Sequence, residues 1–313
     1  MFQSILVPLD GSTFGEHALP LAMALARRSK AELKLLHVHA PLKSVYLEGA
    51  AFIDESIESD IKASQRAYLE VVAERVGQVC DTKIVPKLLD GEIAEAIAEE
   101  AMQGGTDLVV MTTHGKSALG RFWLGSTTDE LVRHLPMPLL IVRPQEVTPD
   151  LTIEPSLKHI LIALDGSEHS EAIIESATKL GQLMESDYTL VRIIKPVMPV
   201  NAPVEATTAV QAFQAVVDRV EGIQKQLAEE ASKYLESVAG RLRASGLQVN
   251  TRVDLDDQPA SAIIKEGERD DVDMIAIETH ARRGFSRLFL GSVADKVLRG
   301  ATVPVLIHRP QEK

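Results

Sequence analysis

Short apolar runs alternate with longer amphipathic segments along the whole chain. In the first half the apolar runs predict five buried strands, at residues 5–9, 33–38, 83–88, 108–111 and 139–142. Apolar positions at helical spacing predict helices between them, at residues 18–26, 59–79, 94–102 and 126–134. Apolar strands that alternate with amphipathic helices indicate a parallel sheet with helices on both faces.

The second half repeats this plan. The segment ILVPLDGS at residues 5–12 returns as ILIALDGS at residues 160–167, an offset of 155, and Gly125-Ser126 returns as Gly291-Ser292, an offset of 166. This change predicts an insertion of 11 residues in the second copy, which we place in the stretch 196–209. The predicted strands of the second copy are residues 160–164, 190–193, 249–253, 274–277 and 305–307. The sequence therefore predicts two tandem doubly wound, Rossmann-like α/β domains, at residues 1–146 and 156–313.

Composition excludes several classes of protein. The formal net charge of −12 argues against a nucleic acid or an anionic membrane as the main partner, although a helix N-terminus can still bind a small anion. Cys80 is the single cysteine, so no internal disulfide can form. No apolar run reaches the roughly 18 residues of a membrane helix, and residues 1–7 do not resemble a signal peptide. We therefore expect a cytoplasmic protein.

Candidate chemistry lies in the loops after the first and fourth strands of each copy. Ligands of open α/β sheets bind beyond the carboxyl ends of the strands, so these loops line one crevice if the two strands are neighbours. Asp10-Gly11 follows the first strand, and Asp165-Gly166 repeats it. A carboxylate there is able to hold a ribose hydroxyl, an adenine amino group or a metal ion. The alternative is that each aspartate only stabilises its own Asp-Gly turn.

A helix start is predicted at the end of the loop after each fourth strand. The segments 126–129 and 292–295 both fit the capping-box pattern Ser-x-x-Asp. The free N–H groups and the positive dipole end of such a helix favour a phosphate, and Gly125 and Gly291 let the backbone approach it. The alternative is that Ser126 and Ser292 only cap their helices. Neither a Walker loop nor a GxGxxG fingerprint is present, so this is no ordinary P-loop ATPase or dinucleotide dehydrogenase.

Two histidines raise the alternative of a metal site. His37 and His39 alternate on a predicted strand, so their side chains share a face. Further ligands are missing from this pattern, and a structural role for both histidines is the interpretation we adopt.

These loops resemble the universal stress protein family. The residues that carry the resemblance are Asp10-Gly-Ser, Thr113-His-Gly and, after nine intervening residues, Gly125-Ser126, with their repeats in the second half. ATP-binding members of that family carry Gly-x2-Gly-x9-Gly-(Ser/Thr). The resemblance implies five-stranded sheets in the order 3-2-1-4-5, paired through their last strands as a pseudo-dimer. It also implies that one subclass binds ATP or AMP and another binds neither.

By position, the resemblance implies a nucleotide site in each half. In the first half the implied residues are Pro8, Leu9, Asp10, Val38, Met111, Thr112, His114, Gly115, Gly125, Ser126 and Thr127. In the second half they are Ala163, Leu164, Asp165, Ile193, Ile277, Glu278, His280, Ala281, Gly291, Ser292 and Val293. Asp10 and Asp165 are also the candidate ligands of a Mg²⁺ ion bound with the nucleotide.

The two implied sites depart from the family motif in different ways. The first motif glycine is Thr112 in the first half and Glu278 in the second, and the second motif glycine is Gly115 in the first half but Ala281 in the second. A carboxylate near a polyphosphate is repulsive. We therefore expect the first crevice to bind nucleotide more tightly, unless Arg282 or Arg283 neutralises the glutamate.

Three functions are compatible with the sequence. The first is a regulatory protein of stress physiology that binds an adenine nucleotide with little or no turnover. The second is a slow ATPase or phosphoryl-transfer enzyme that uses the same crevice, and the third is a nucleotide-free interaction scaffold. We favour the first because phosphoryl transfer needs a positioned base, for which His114 is the one candidate. The expected partners are the nucleotide and the other half of the chain, and a homodimer of whole chains stays open.

Overall fold

The fold is known from a computed structural model that describes residues 1–41, 45–47, 50–52, 55–113, 124–197, 209–279 and 290–309. The first half contains β1 (Ser4–Pro8), α1 (Leu19–Ser29, after a short 3-10 helix at Gly15–Ala18), β2 (Glu32–His39), β3 (Val45–Leu47), β4 (Ala50–Phe52), α2 (Glu55–Gly77), β5 (Ile84–Asp90), α3 (Ile93–Gln103), β6 (Leu108–Thr112), α4 (Ser126–His134) and β7 (Leu139–Val142). The second half contains β8 (His159–Ala163), α5 (Ala172–Met184), β9 (Asp187–Ile194), α6 (Ala209–Ala244), β10 (Val249–Leu255), α7 (Pro259–Gly267), β11 (Met274–Glu278), α8 (Ser292–Gly300) and β12 (Val305–His308).

The two halves share one ten-stranded sheet. Its order is β10-β9-β8-β11-β12-β7-β6-β1-β2-β5, and β3 and β4 form a separate antiparallel hairpin. Within each half the strands are parallel, while β12 and β7 pair antiparallel where the halves meet. This arrangement confirms the doubly wound fold, the order 3-2-1-4-5 in each copy and the pseudo-dimer formed by the last strands.

Helices cover both faces of this sheet, as the apolar strands require. Residues of β1 such as Ile5 and Leu6 are fully buried, because successive side chains point to opposite faces and each face is covered. One hydrophobic core lies under α1, α2, α5 and α6, and the other lies under α3, α4, α7 and α8. Each core contains residues of both halves, so the halves are packed together on both faces of the sheet.

The extra residues of the second copy lengthen one helix. Helix α6 has 36 residues, whereas its counterpart α2 has 23. The expectation that the insertion lies in the stretch 196–209 was therefore wrong, because the added length is accommodated in the helix that follows. Among the described residues, no helix combines the length and the apolar character that crossing a membrane requires.

Two arginines related by the repeat fasten each half to the other. Arg143 follows β7, and its guanidinium donates a hydrogen bond to the main-chain carbonyl of Arg299 in α8, at 2.5 Å. Arg309 follows β12 and donates in the same way to the carbonyl of Arg133 in α4. The last carbonyls of a helix have no intrahelical partner and form its negative end. Each arginine therefore caps the C-terminal turn of a helix that belongs to the other half.

Candidate functional site

The sheet order brings the candidate loops of each half together. Strand β1 is hydrogen-bonded to β6, and β8 is hydrogen-bonded to β11. The loops after these strands therefore leave the sheet side by side, which is the condition that the predicted crevice required. The predicted residues at these strand ends are Pro8, Leu9, Val38, Met111 and Thr112 in the first half and Ala163, Leu164, Ile193, Ile277 and Glu278 in the second.

The loop after β1 is built around Asp10. Its Oδ1 atom accepts hydrogen bonds from the backbone N–H of Ser12 at 3.0 Å and from the Ser12 hydroxyl at 2.7 Å. Gly11 has a φ of +84°, and a Cβ atom on Gly15 would lie 2.6 Å from Asp10 Oδ1. Glycine is thus required at both positions, one for its backbone conformation and one for the close approach to the carboxylate.

The second half repeats this turn. Asp165 Oδ1 accepts from the Ser167 N–H at 2.8 Å and from its hydroxyl at 2.6 Å, and Gly166 has a φ of +93°. The Asp-Gly turn predicted as the structural alternative is therefore present in both copies. These hydrogen bonds also fix the direction of each carboxylate, which a ligand contact would need.

A cluster of three side chains, centred on the buried Glu16, ties α2 to the turn after Asp10. Tyr68 of α2 donates a hydrogen bond to Glu16 Oε1 at 3.3 Å, and Arg75 donates to Glu16 Oε2 at 2.8 Å. Glu16 is 4% exposed. Burial, and next the negative charge of Glu16, raises the pKa of Tyr68. The cluster holds the 3-10 helix, and with it the Asp10 turn, against α2.

The second half repeats the arginine–glutamate pair of this cluster. Arg241 donates to Glu171 Oε2 at 2.5 Å, and burial, followed by the nearby Glu171, raises the pKa of Tyr234 to about 12. Sequence reasoning missed both clusters. The signal was present, because Glu16 repeats at the offset of 155 and Tyr68 and Arg75 repeat at 166.

The two histidines of β2 have structural partners. His37 Nδ1 lies 2.7 Å from the carbonyl oxygen of Leu9, while His39 lies between Gln65 at 2.9 Å and Glu58 at 3.3 Å. In the part of the chain that the structure describes, no three His, Cys, Asp or Glu side chains are grouped to hold a metal ion. The structure thus gives the histidines the role of fastening β2 to the Asp10 turn and to α2.

Helix α4 begins at Ser126, but not through a capping box. Gly125 is the N-cap residue, with extended dihedrals (φ −61°, ψ 149°) and no capping side chain. The pattern requires an acidic residue at the third helical position, whereas Asp129 is the fourth, and it pairs with Arg133 at 2.8 Å instead. The capping-box prediction was therefore wrong, and Gly125 supplies no side-chain cap to the first N–H groups of α4.

Helix α8 begins in the same way in the second half. Gly291 is its N-cap residue (φ −57°, ψ 136°), and no side chain caps the first turn. Asp295 again pairs with the residue four positions on, Arg299, at 2.9 Å. Ser292 and Val293 are its first helical residues, so the predicted capping role of Ser292 was wrong as well.

Two hydrogen bonds fix the start of α4 to the end of β6. The N–H of Gly125 donates to the carbonyl of Thr113 at 2.8 Å, and the hydroxyl of Thr128 donates to the carbonyl of Thr112 at 3.1 Å. The uncapped turn that contains Ser126 and Thr127 is thus held beside the strand end that neighbours the Asp10 loop. His114, Gly115, His280 and Ala281 lie outside the described residues, so their predicted contacts stay predictions.

Glu278 distinguishes the second crevice from the first. It ends β11 where Thr112 ends β6, it is 4% exposed, and among the residues that the structure describes neither of its carboxylate oxygens has a hydrogen-bond partner. Burial, and next the charge of Asp165, raises the pKa of Glu278 to about 8. At neutral pH this carboxyl therefore holds its proton in the absence of a ligand.

Two cavities lie away from these strand ends. One, of about 240 Å³, is formed by α1, Cys80 and the connection between the halves at Leu151–Glu154. The other, of about 310 Å³, lies at the amino-terminal ends of β8, β9 and β10, where Thr189 and Glu266 line it. Neither cavity includes a residue of the predicted nucleotide sites.

Comparisons with known proteins assign the family. The model of the universal stress protein family matches residues 1–143 and again residues 156–309. A universal stress protein of Mycolicibacterium smegmatis is 25% identical over 315 residues, which cover 98% of this chain and 97% of that protein. A universal stress protein of Thermus aquaticus is 34% identical over 143 residues, 46% of this chain and 100% of that protein.

A solved structure shows the same fold over the whole chain. The crystal structure of a universal stress protein from Archaeoglobus fulgidus has a TM-score of 0.63 at 17% sequence identity, covering 99% of this chain and 97% of that one. Because the family model matches nearly the whole sequence in two successive segments, this chain belongs to the universal stress protein family and carries the family's domain twice.

Proposed function

We propose that this protein is a regulatory protein of stress physiology that binds an adenine nucleotide in its first crevice and turns it over slowly or not at all. The observation that carries the proposal is the start of α4, where Gly125 provides no capping side chain. The N–H groups of the first turn and the positive end of the helix dipole favour a phosphate at this position.

The neighbouring strand end supplies the rest of the site. Asp10 is oriented by Ser12, and the start of α4 is anchored to β6, the neighbour of β1. A nucleotide with its phosphates at Ser126 would extend along the strand ends toward Asp10 and Val38. The carboxylate of Asp10 is suited to a ribose hydroxyl, to the adenine amino group or to a Mg²⁺ ion that accompanies the phosphates.

The two crevices differ in the charge that a phosphate would meet. Thr112 ends β6 with a neutral side chain, whereas Glu278 ends β11 beside Asp165. A polyphosphate in the second crevice would require Glu278 to keep its proton beside Asp165, because the ionised carboxylate would repel the phosphates, more so where water is excluded. The first crevice is therefore the tighter nucleotide site in this proposal.

Isothermal titration calorimetry of the full chain with ATP and Mg²⁺ tests the proposal, with the variants Gly125→Asp and Gly291→Asp as a matched pair. An aspartate is compatible with the negative φ at both positions, and it would cap the helix while adding a negative charge. We expect Gly125→Asp to weaken ATP binding about tenfold or more. Gly291→Asp should leave the tighter binding unchanged.

Three results would contradict the proposal. No binding of the unaltered chain at millimolar ATP would favour the interaction scaffold. Turnover of about 1 per second or more would favour the enzyme. Loss of the tighter binding in Gly291→Asp alone would reverse the assignment of the two crevices.

A further inference from the structure

An unpartnered carboxyl group is buried at the end of β11. Glu278 is 4% exposed, and within the described ranges both Oε1 and Oε2 are enclosed without a hydrogen-bond partner. Buried carboxyl groups are nearly always hydrogen-bonded, paired with a cation or bound to a metal, because leaving such a group unsatisfied is energetically costly. Such a group in a folded protein calls for a specific partner.

A second carboxyl group follows the neighbouring strand. Asp165 follows β8, the strand that pairs with β11 in the register Ile277–Ala163, so Glu278 and Asp165 leave adjacent strand ends. The charge of Asp165 acts on Glu278 and disfavours its ionised form. The Asp165 carboxylate is itself held in place by the N–H and the hydroxyl of Ser167. Both groups therefore belong to the carboxyl-terminal end of the neighbouring parallel strands β8 and β11.

A cation between these groups would satisfy both. It would pair with the oxygens of Glu278 and remove the repulsion from Asp165. Oxygen ligands select hard divalent cations, and Mg²⁺ in particular is commonly bound by one or two carboxylates together with several waters.

We propose that the second crevice binds a hard divalent cation, of the Mg²⁺ or Mn²⁺ kind, between Glu278 and Asp165, without any nucleotide. The site is distinct from a metal ion that arrives with ATP, because it needs no phosphate oxygen. It does not rest on nucleotide binding in the first crevice. The two halves would then take different ligands, a nucleotide in the first and a metal ion in the second.

The first half supplies the matched control. Thr112 occupies the position of Glu278, and Asp10 occupies that of Asp165 with the same two hydrogen bonds from a serine. One substitution in each crevice therefore exchanges the side chain that distinguishes them. Glu278→Thr gives the second crevice the side chain of the first, and Thr112→Glu gives the first crevice the side chain of the second.

The test is a titration of the full chain with Mn²⁺ alone, followed by electron paramagnetic resonance of free Mn²⁺. We expect one site per chain in the unaltered protein. Loss of a metal ligand should cost at least as much affinity as loss of an outer contact, so Glu278→Thr should weaken binding about tenfold or more. Thr112→Glu should add a second site. Mg²⁺ should compete with Mn²⁺ in each case.

Circular dichroism of each variant checks that it is folded, and Glu278→Gln, which keeps the size of the side chain, should lose the site like Glu278→Thr. The proposal is overturned if the unaltered chain binds no Mn²⁺ at millimolar concentration or if folded Glu278→Gln binds it as tightly. It is also overturned if Mn²⁺ binds only when ATP is present, a result that would leave the proposed nucleotide site intact. Conversely, Mn²⁺ binding in a chain that does not bind ATP would support this site and remove the proposed function.

Discussion

The guanidinium of Arg143 donates to the main-chain carbonyl of Arg299 across the boundary between the two halves, at 2.5 Å. The repeat supplies the reciprocal contact, from Arg309 to the carbonyl of Arg133. Around these contacts, Asp129 and Asp295 pair with Arg133 and Arg299 within their own helices, and Arg299 also lies 3.8 Å from Asp129. Side chains of α4 and α8, together with the arginines that follow β7 and β12, thus form one polar network where the two halves meet.

Removing one of these reciprocal contacts should destabilise the whole chain. Arg143→Ala leaves a C-terminal carbonyl of α8 without its charged donor, and hydrogen bonds to charged groups contribute about 1.5–3 kcal/mol. We expect a loss of about that size in the free energy of unfolding by urea. Arg27→Ala is the control, because Arg27 forms an exposed ion pair with Glu154 that is worth at most about 1 kcal/mol. Equal effects of the two substitutions would contradict the role given to Arg143.

The first half alone should not be a monomer. In the full chain β7 pairs with β12, and its residues Leu139, Leu140 and Ile141 are buried. A fragment of residues 1–146 exposes this apolar strand and its unpaired hydrogen-bonding groups, which favour association with another copy. Light scattering after size-exclusion chromatography should therefore show a homodimer or an aggregate. A soluble monomer of this fragment would contradict the expectation that β7 needs a partner strand.

Glu278 should make stability depend on pH. Its pKa is about 8 in the folded chain against an ordinary value of 4.5, so the folded state holds the proton more tightly than the unfolded state. The stability associated with the neutral form is fully present below pH 4.5 and is lost as the pH rises through 8. Because one pKa unit corresponds to about 1.4 kcal/mol, the loss should reach a few kcal/mol.

The variant Glu278→Gln should lack this dependence. With EDTA present to exclude metal ions, the variant and the unaltered chain should differ least near pH 4.5 and most above pH 8, where the variant should be the more stable. Urea unfolding at a series of pH values measures the difference. A difference that does not change with pH would show that the carboxyl group of Glu278 titrates near its ordinary value.

The Glu16 cluster should matter for stability and for nucleotide binding in different ways. Glu16→Gln removes the carboxylate that pairs with Arg75 and should reduce the free energy of unfolding by about 1–3 kcal/mol. It should also weaken ATP binding, because the Asp10 turn is no longer held against α2. Glu171→Gln makes the same change in the second half and should affect stability alone. If calorimetry gave equal ATP affinities for the two variants, the Glu16 cluster would have no role in nucleotide binding.

The sequence predicted the fold well because the relevant signals were local and repeated. Strands such as β6 and β11 are apolar at nearly every position, which is typical of a parallel sheet covered on both faces. The predicted edge pairing of β7 with β12 followed from the same runs together with the family resemblance. Local patterns of this kind can be recognised in a single sequence without any knowledge of tertiary contacts.

The candidate site was harder to predict from the sequence, for physical reasons. Asp129 fits a capping box if Ser126 is the N-cap residue. In the structure the N-cap is Gly125, one residue earlier, and Asp129 pairs with Arg133 instead. Glu278 was visible as a departure from the motif, but its burial and its unsatisfied oxygens depend on the packing around it. The cluster of Glu16, Tyr68 and Arg75 joins residues far apart in the chain, so only the fold brings it together.

The antiparallel contact between β7 and β12 also determines where the two crevices face. In the ten-stranded sheet the strands of the first half run in one direction, and those of the second half run in the opposite direction. The carboxyl-terminal ends of the two sets of strands therefore point to opposite sides of the molecule. The mouths of the two crevices therefore open away from each other. If ligands bind as proposed, a small partner that contacts the ligand of one crevice would not reach the other crevice.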